Sequence, residues 1–518
     1  MAGQLPTELI EHIFSLADHT DKQTCAAICL TNELGRQAVT PVMYQSVGIT
    51  DGRLLPAERA HRLQLLCRTL LENPRLAALA TDIKHWVDSA SQEDCGRLDG
   101  SFALLVQRRL GEMNMPRALY GQVLTVLEDD QCETTEDDYL VLMLLLCNRA
   151  TVLELLGELN VLRDMESLCY ILGCVAEEED DSEDGESSSS SDVSGEAESR
   201  QYGLYSIREV RLISEGLTRD GVKVDLGVED IEPLLQFPNL HSVYASNLER
   251  TISKGFRSSL DLFRSNVKEL KFSAFSAKIE DLEALLPACS GLQTLDVEFT
   301  TKDSAHRRFD WRDLGVALRE FCPRIKHLRL DHERDVLMDD KDMYEMGGVR
   351  DDNVKSARLR GLGRLIELSH LTTLTLSKNA LFGTRGSFAG YRASDASESD
   401  LEQKFGALDT EPSGRKLDAI LPQSLRELTI ICEDKYIGPW EVGLLDGPAV
   451  QHLDEMTIID CQKDGWITKM EGPNAVQRQR DKERAARLVA LAAQRAAMKA
   501  ARERGSAASP AGARRGGV

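Results

Sequence analysis

The sequence predicts an α/β fold in which a three-helix unit precedes an irregular solenoid, with one parallel strand and one helix per repeat. A six-residue frame, apolar-x-x-apolar-x-apolar, returns eight times between residues 207 and 458. Several copies follow a helix-like stretch that ends near a proline. A third observation is the opening segment, where apolar residues recur at helical spacing.

The opening segment, residues 5–47, has an apolar face too broad for three short helices to bury alone. Pro6 suits the first turn of a helix, and residues 18–21 interrupt the pattern with side chains that cap helices. Pro41 is expected to close the third helix. The segment therefore predicts a unit that docks on a partner, and the alternative is a helical cap of the repeats.

The pairs Leu5-Pro6, Glu8-Leu9 and Ile13-Phe14, followed by a helix and a closing aromatic residue, resemble the F-box. The closest form is the divergent F-box-like group abundant in fungi, which residues 43–46 and 65–80 also resemble. The resemblance implies docking on the small adaptor subunit of a Skp–cullin–F-box ubiquitin ligase, with the cullin scaffold as a further partner. The implied adaptor contacts are Leu5, Pro6, Leu9, Ile13 and Phe14.

One position departs from that family. Many F-boxes carry a tryptophan in the third helix, whereas the nearest counterpart here is Leu34. The resemblance therefore implies an adaptor affinity below the usual one.

The repeated frame resembles leucine-rich repeats, in which each repeat adds one parallel strand inside and a helix outside. The eight frames are Ile207/Val210/Leu212, Leu240/Val243/Ala245, Val267/Leu270/Phe272, Leu292/Leu295/Val297, Ile325/Leu328/Leu330, Leu371/Leu374/Leu376, Leu425/Leu428/Ile430 and Leu453/Met456/Ile458. Fainter copies occur at Ala150/Leu153/Leu155 and Ala80/Ile83. A doubly wound parallel sheet would need a glycine-rich turn after a strand, and the sequence has none.

Residues between the apolar positions of each frame should point to an open concave face, because side chains alternate along a strand. These residues change from charged pairs in the first frames to threonines in the last ones. We expect the ligand to be a protein segment, recognised by hydrogen bonds and charge pairs. The candidate target-binding residues are Arg211, Tyr244, Lys271, Asp296, His327, Arg329, Thr375 and Thr429.

Composition shifts divide the chain into five regions. They are an F-box-like unit (1–50), a helical connector with the first irregular repeats (51–176), an acidic serine-rich insertion (177–200), the repeat array (201–470, with insertions at 332–360 and 380–416) and a basic helical tail (471–518). The insertions in the array predict either binding loops or disordered loops.

The formal net charge of −23 is unevenly distributed. Residues 177–199 hold eleven Asp and Glu and no Lys or Arg, which predicts a disordered insertion. Its serines suit phosphorylation by an acid-directed kinase. The alternative is a solvent-exposed loop that only solubilises the chain. Residues 478–515 hold eleven Lys and Arg against three acids. An acidic body disfavours nucleic-acid binding, so only this tail could contact nucleic acid. The tail could instead mediate nuclear import or clamp the acidic insertion, and the remaining alternative is a solvated, partly formed helix.

No membrane association is expected. The first residues lack a basic start followed by an apolar run, and the apolar stretch 139–147 is half the length of a membrane span, so we interpret it as a buried helix. Twelve scattered cysteines favour reduced thiols, hence a cytoplasmic or nuclear location or both.

The sequence shows no catalytic motif of the G-x-S-x-G, Walker A or H-E-x-x-H kind. Cys25 and Cys29 stand one helical turn apart, but without a second Cys/His pair they favour core packing over metal binding. We therefore expect no cofactor and no enzymatic activity. The leading hypothesis is the substrate-recognition subunit of a Skp–cullin–F-box ubiquitin ligase, and the rival is a leucine-rich-repeat scaffold outside any ligase.

Overall fold

The structure is a computed structural model of the chain. It describes residues 22–31, 33–88, 100–113, 115, 119–121, 123–124, 134–180, 202–214, 226–250, 264–277, 279–299, 311–332, 362–377, 380–381, 421–432, 452–460 and 466–471.

Twelve strands form one sheet within this part of the chain. They are β1 (Ser46–Val47), β2 (Asp82–Val87), β3 (Val152–Gly157), β4 (Glu209–Ser214), β6 (Ser242–Ser246), β8 (Glu269–Phe275), β9 (Thr294–Phe299), β10 (His327–His332), β11 (Thr373–Ser377), β12 (Glu427–Cys432), β13 (Glu455–Asp460) and β14 (Trp466–Glu471). Two further strands, β5 (Leu226–Gly227) and β7 (Leu248–Arg250), pair with each other.

The strands of the large sheet lie side by side in the order of the chain. Each pair from β1 to β13 is parallel, and β14 pairs antiparallel with β13. A doubly wound sheet reverses its strand order at a switch point, whereas this sheet adds every strand at the same edge. The architecture is therefore α/β with a large parallel sheet of solenoid-like order, which confirms the α/β class predicted from the sequence.

Each of the eight frames forms a strand of this sheet, and the two fainter copies form β2 and β3. The apolar residues of the frames are buried on one side of the sheet, where they join a continuous core that extends from Val47 to Ile458. Full burial of each such side chain stabilises the fold by roughly 1.5–3 kcal/mol.

Nine α-helices are described: α1 (Lys22–Thr31), α2 (Glu33–Gln45), α3 (Pro56–Glu72), α4 (Pro74–Ala77), α5 (Gly100–Gly111), α6 (Glu136–Leu146), α7 (Glu166–Asp180), α8 (Ile279–Leu285) and α9 (Trp311–Phe321). Of the helix-like stretches before the frames, two form α8 and α9. A third forms a short 3-10 helix at Glu232–Gln236. The stretch before Leu425 lies largely outside the described residues.

The expected buried helix is α6, whose eleven residues are all buried. Thr135 and Asp138 form a capping box at its start, and the Thr135 amide donates to Asp138 Oδ2 at 2.7 Å. The helix lies inside the fold because it is apolar around most of its circumference. No helix in the described ranges is long and apolar enough to cross a membrane.

The opening unit is described from residue 22 onward, so Leu5, Pro6, Leu9, Ile13 and Phe14 lie outside the described residues. The expectation that Pro41 closes the third helix was wrong, because Pro41 lies inside α2, which continues to Gln45. The helix α2 leads directly into β1, which pairs with β2. Residues 46–47 are therefore the first strand of the sheet as well as the end of the predicted unit 1–50.

The predicted insertions overlap ordered elements at their edges. The helix α7 continues to Asp180, four residues into the acidic insertion. Ala380 and Leu381, at the start of the second loop, are buried in the core. His332, the first residue of the insertion 332–360, is the last residue of β10. The other residues of these insertions, and the tail after Glu471, lie outside the described part.

Candidate functional site: the open face of the sheet

The side of the sheet away from the buried frame residues is here called the open face. Alternation along each strand brings its side chains into rows that run across the strands. Row 1 consists of Asp82, Val152, Glu209, Ser242, Glu269, Thr294, His327, Thr373, Glu427 and Glu455. Row 2 consists of Lys84, Glu154, Arg211, Tyr244, Lys271, Asp296, Arg329, Thr375, Thr429 and Thr457.

The structure brings the eight predicted target-binding residues together on this face. Seven of them are consecutive members of row 2, from Arg211 to Thr429. His327 lies in row 1, where its register partners are Thr294 and Thr373. Arg329 and His327 are exposed, and the other six are half-buried.

The cations of rows 1 and 2 are paired with neighbouring carboxylates. Lys84 Nζ lies 3.0 Å from Glu154 Oε1 on the next strand, and Arg211 Nε donates to Glu209 Oε1 at 2.6 Å. Lys271 Nζ lies 2.8 Å from Glu269 Oε1. The face thus offers fixed, oriented charges of both signs, which favours a ligand with an alternating charge pattern over one of a single sign.

These pairs shift the ionisation of several groups. The hydrogen bond to Glu209 raises the pKa of Arg211, and the Lys271 ammonium lowers the pKa of Glu269. Burial raises the pKa of Asp296, against the opposing effect of Arg329, whose Nη1 lies 3.7 Å away. Burial alone would lower the pKa of Arg329, but the hydrogen bond to Asp331 and the charges of both aspartates raise it.

An open pocket of about 510 Å³ lies on this face over strands β3, β4, β6 and β8. Its lining residues are Glu154, Glu209, Arg211, Ile213, Ser242, Tyr244, Glu269 and Lys271. The Tyr244 hydroxyl is hydrogen-bonded to Ser273 Oγ at 2.9 Å, which fixes the ring. The pocket therefore combines an aromatic ring and an aliphatic side chain with charged groups, a combination suited to a side chain of a protein ligand.

A third row next to row 2 carries apolar side chains at one end. Trp86, Leu156 and Ile213 are neighbours on β2, β3 and β4, and all three are half-buried. We call these three residues the apolar strip. Sequence reasoning missed it because the register that aligns these strands is invisible in single frames, although the alternation in DIKHWV does place Trp86 and Lys84 on one side.

Two glycines make room for the Trp86 indole. A Cβ on Gly52 would lie 2.3 Å from Trp86 Cε2, and one on Gly157 would lie 2.9 Å from the same atom. Gly157 also has a positive φ of +106°, which L residues with side chains rarely adopt. The indole Nε1 donates to Asp88 Oδ2 at 3.3 Å, so the ring is held by shape and by a hydrogen bond.

Asp88 belongs to a charge network that sequence reasoning also missed. Arg59 is fully buried, and its Nη1 and Nη2 donate to the two oxygens of Asp88 at 2.9 and 2.7 Å. Its Nε donates to both oxygens of the buried Glu136, at 2.8 and 2.7 Å. Arg59 thus connects the start of α6 to the carboxylate that holds Trp86.

Two further ionisable groups are buried close to this network. Burial, followed by the charge of Arg59, lowers the pKa of His85 to about 3. Burial, followed by the charge of Asp138, raises the pKa of Asp137 to about 7, although the Ser167 and Leu168 amides donate to its Oδ2 at 2.8 and 3.2 Å. Both groups are therefore expected to make folding stability depend on pH.

No group of three or more His, Cys, Asp or Glu in the described ranges could hold a metal ion. Cys25 is buried, and Cys29 Sγ on α1 contacts Met43 Sδ on α2 at 3.5 Å.

No protein-family model matches the chain, and no curated protein matches it either.

Proposed function

We propose that the chain is a non-catalytic receptor that binds a protein segment on the open face of its sheet. In this proposal it is the substrate-recognition subunit of a Skp–cullin–F-box ubiquitin ligase. The opening segment docks on the adaptor, and the sheet holds the target close to the transfer machinery. Tethering of this kind accelerates a reaction by raising the local concentration of the target.

The observation that carries target binding is the continuity of row 2. Ten strands align one outward residue each, so an extended ligand can lie across several strands in one direction. The cations along this row are already paired with carboxylates of the protein. A charged ligand can therefore exchange ion pairs with them, and no charge is left buried without a partner. The apolar strip supplies the anchor that charge pairs alone do not, since buried aromatic residues dominate many interfaces.

Adaptor docking is supported by the resemblance of residues 5–14 to the F-box and by the neighbouring helix. Leu30 on α1 is 88% exposed, so the described part of the unit 1–50 presents a large apolar side chain to solvent. A partner that covers such side chains gains roughly 1.5–3 kcal/mol for each, before the cost of association.

The test of adaptor docking is co-purification from source cells with the tagged full chain. We expect Leu9→Asp with Phe14→Ala to remove about 4 kcal/mol of docking energy, hence about a thousandfold in affinity, and to abolish recovery of the adaptor. The matched control is Leu104→Asp, which charges a leucine on α5 that is 67% exposed. Equal adaptor recovery with both variants, at unchanged thermal melting, would remove the ligase proposal.

A second candidate is a repeat scaffold outside any ligase, and the pairing of β1 with β2 favours it. In that case residues 1–50 act as a cap of the sheet. Removing residues 1–21 leaves β1 in place, whereas removing 1–50 takes away β1 with its buried Val47 and leaves β2 without its parallel partner on that side. If the 1–21 deletion already lowers the melting temperature as much as the 1–50 deletion does, the segment is a cap; a loss confined to the longer deletion supports a separable docking unit.

A further inference from the structure

The pocket on the open face and the apolar strip share one residue, Ile213. From there the strip continues away from the pocket through Leu156 on β3 to Trp86 on β2. Arg211 lies two residues before Ile213 on β4, and the two Cα atoms are about 7 Å apart because a strand advances by about 3.3 Å per residue. One extended ligand can therefore contact the apolar strip and this guanidinium with nearby side chains.

The carboxylates that line the pocket are already engaged by donors of the protein. Both oxygens of Glu154 accept hydrogen bonds from Lys84 Nζ, at 3.0 and 3.2 Å. Glu269 Oε1 lies 2.8 Å from Lys271 Nζ, and Ser242 Oγ donates to Glu269 Oε2 at 3.1 Å. A cationic ligand would have to share these acceptors with the protein.

Arg211 is engaged at only one of its three nitrogens. Its Nε donates to Glu209 Oε1 at 2.6 Å, whereas Nη1 and Nη2 have no hydrogen-bond partner among the described residues. The carboxylate of Glu154 approaches Nη1 only to 3.8 Å, which is beyond hydrogen-bond distance. The Arg211 side chain lines the pocket and is 42% exposed, so this edge of the guanidinium is open to a ligand. A planar carboxylate fits such an edge with two parallel hydrogen bonds.

We propose that the bound segment carries an aspartate or glutamate on Arg211, about two or three residues from a large apolar side chain on Leu156 and Ile213. This inference rests on the proposed receptor function and names the class of segment that the receptor takes. The apolar subsite is preorganised, because Gly52, Gly157 and the hydrogen bond to Asp88 already hold the Trp86 ring at the end of the strip. Binding therefore requires little ordering of the protein.

The surroundings of Arg211 favour a carboxylate over a phosphorylated residue. Glu154, Glu209 and Glu269 all line the same pocket. A phosphoserine carries about twice the charge of a carboxylate, so it meets about twice the repulsion from these three side chains. We therefore expect an acidic residue to bind without modification.

The first experiment is a selection of random peptides, displayed on phage, against the full chain. We expect the enriched sequences to share an Asp or Glu near a large apolar residue, at the spacing given above. Enrichment of a different pattern, such as an arginine beside the apolar residue, would overturn this inference and leave the receptor function standing. No enrichment over the bare support would contradict the receptor function as well.

A double-mutant cycle then tests whether Arg211 holds the carboxylate. An enriched peptide and its analogue, in which the amide replaces the acid, are titrated by fluorescence anisotropy into the unmodified chain and into Arg211→Gln. On the unmodified chain we expect the amide to weaken binding about tenfold, since a hydrogen bond to a charged group is lost. On Arg211→Gln the two peptides should bind equally, because the interaction is already absent.

The matched control for this cycle is Arg68→Gln on α3. Arg68 also donates through Nε to a glutamate, Glu72, at 3.0 Å, and its side chain is 49% exposed. We expect this variant to bind both peptides as the unmodified chain does. An equal loss in Arg68→Gln, or a preference for the acid that persists in Arg211→Gln, would refute the assignment of Arg211.

Two further titrations test the apolar subsite and the choice of anion. Leu156→Ser should weaken the enriched peptide and remove the effect of replacing its apolar residue by alanine, because the packing surface is lost. A peptide with phosphoserine in place of the acid should bind less tightly. Tighter binding of the phosphopeptide, or an apolar effect that is unchanged in Leu156→Ser, would overturn the proposal.

Discussion

Replacing Arg59 by methionine tests the buried charge network that supports the Trp86 end of the open face. The change removes four hydrogen bonds, two to Glu136 and two to Asp88. Glu136 has no exposed surface, so its carboxylate would stay charged and uncompensated or bind a proton at a cost. Breaking a buried ion pair from one side costs about 3–5 kcal/mol, and we expect a loss of unfolding free energy of that size.

The matched control is Arg62→Met on the same helix. Arg62 pairs with Glu58, but the two side chains are 53% and 48% exposed, and such a pair contributes about 0.2–1 kcal/mol. Urea denaturation of both variants, followed by circular dichroism, gives the comparison. If Arg59→Met costs no more than 1 kcal/mol beyond Arg62→Met, the network does not stabilise the fold as argued.

A double variant separates charge burial from packing. Arg59→Met with Glu136→Leu removes both buried charges and leaves Asp88, which is 17% exposed and can reach water. Apolar replacement of a whole buried pair is often neutral or stabilising, so this variant should recover much of the lost stability. A double variant less stable than Arg59→Met would show that shape, and not charge, determines the loss.

Two further predictions concern the residues around this network. Because the folded pKa of Asp137 is raised to about 7, its contribution to stability is full below about pH 4 and is lost as pH rises to 7. In Asp137→Asn, the slope of unfolding free energy against pH should therefore exceed that of the unmodified chain by about 1.4 kcal/mol per pH unit in this window. Equal slopes would contradict the raised pKa of Asp137. Gly157→Ala should cost about 1–3 kcal/mol and change the tryptophan fluorescence, because the new Cβ would meet Val87 O at 2.5 Å and press on Trp86. The control Gly173→Ala on α7, whose Cβ would have its nearest neighbour at 3.9 Å, should not destabilise.

The sequence allowed the strands to be predicted because burial of one side of a strand produces alternating apolar and polar residues in each frame. Leu328 and Leu330, for instance, alternate with His327 and Arg329, and the structure buries the leucines and exposes the other two. Parallel pairing then followed from the repetition, since equal frames in series can stack in equal register. The α/β class and seven consecutive members of row 2 were predictable for this reason.

What the sequence did not reveal depends on contacts between distant residues. Arg59 and Glu136 are 77 positions apart and each is surrounded by ordinary helix composition, so nothing local marks them as a buried pair. The apolar strip requires the register of β2, β3 and β4, which only the folded sheet defines. The closing strand β14 runs antiparallel to β13 and carries no copy of the frame, so it was not predicted as a strand.

The most direct measurement of the central claim is site-specific photo-cross-linking in source cells with the proteasome inhibited. A photoreactive side chain replaces Leu156 on the open face, and in a parallel chain it replaces Val316 on the outer helix α9, which is 44% exposed. We expect position 156 to capture a protein that is ubiquitinated in the presence of the chain and accumulates without it. Capture of that protein from position 316 but not from 156, or loss of the chain with no change in its ubiquitination, would contradict the account.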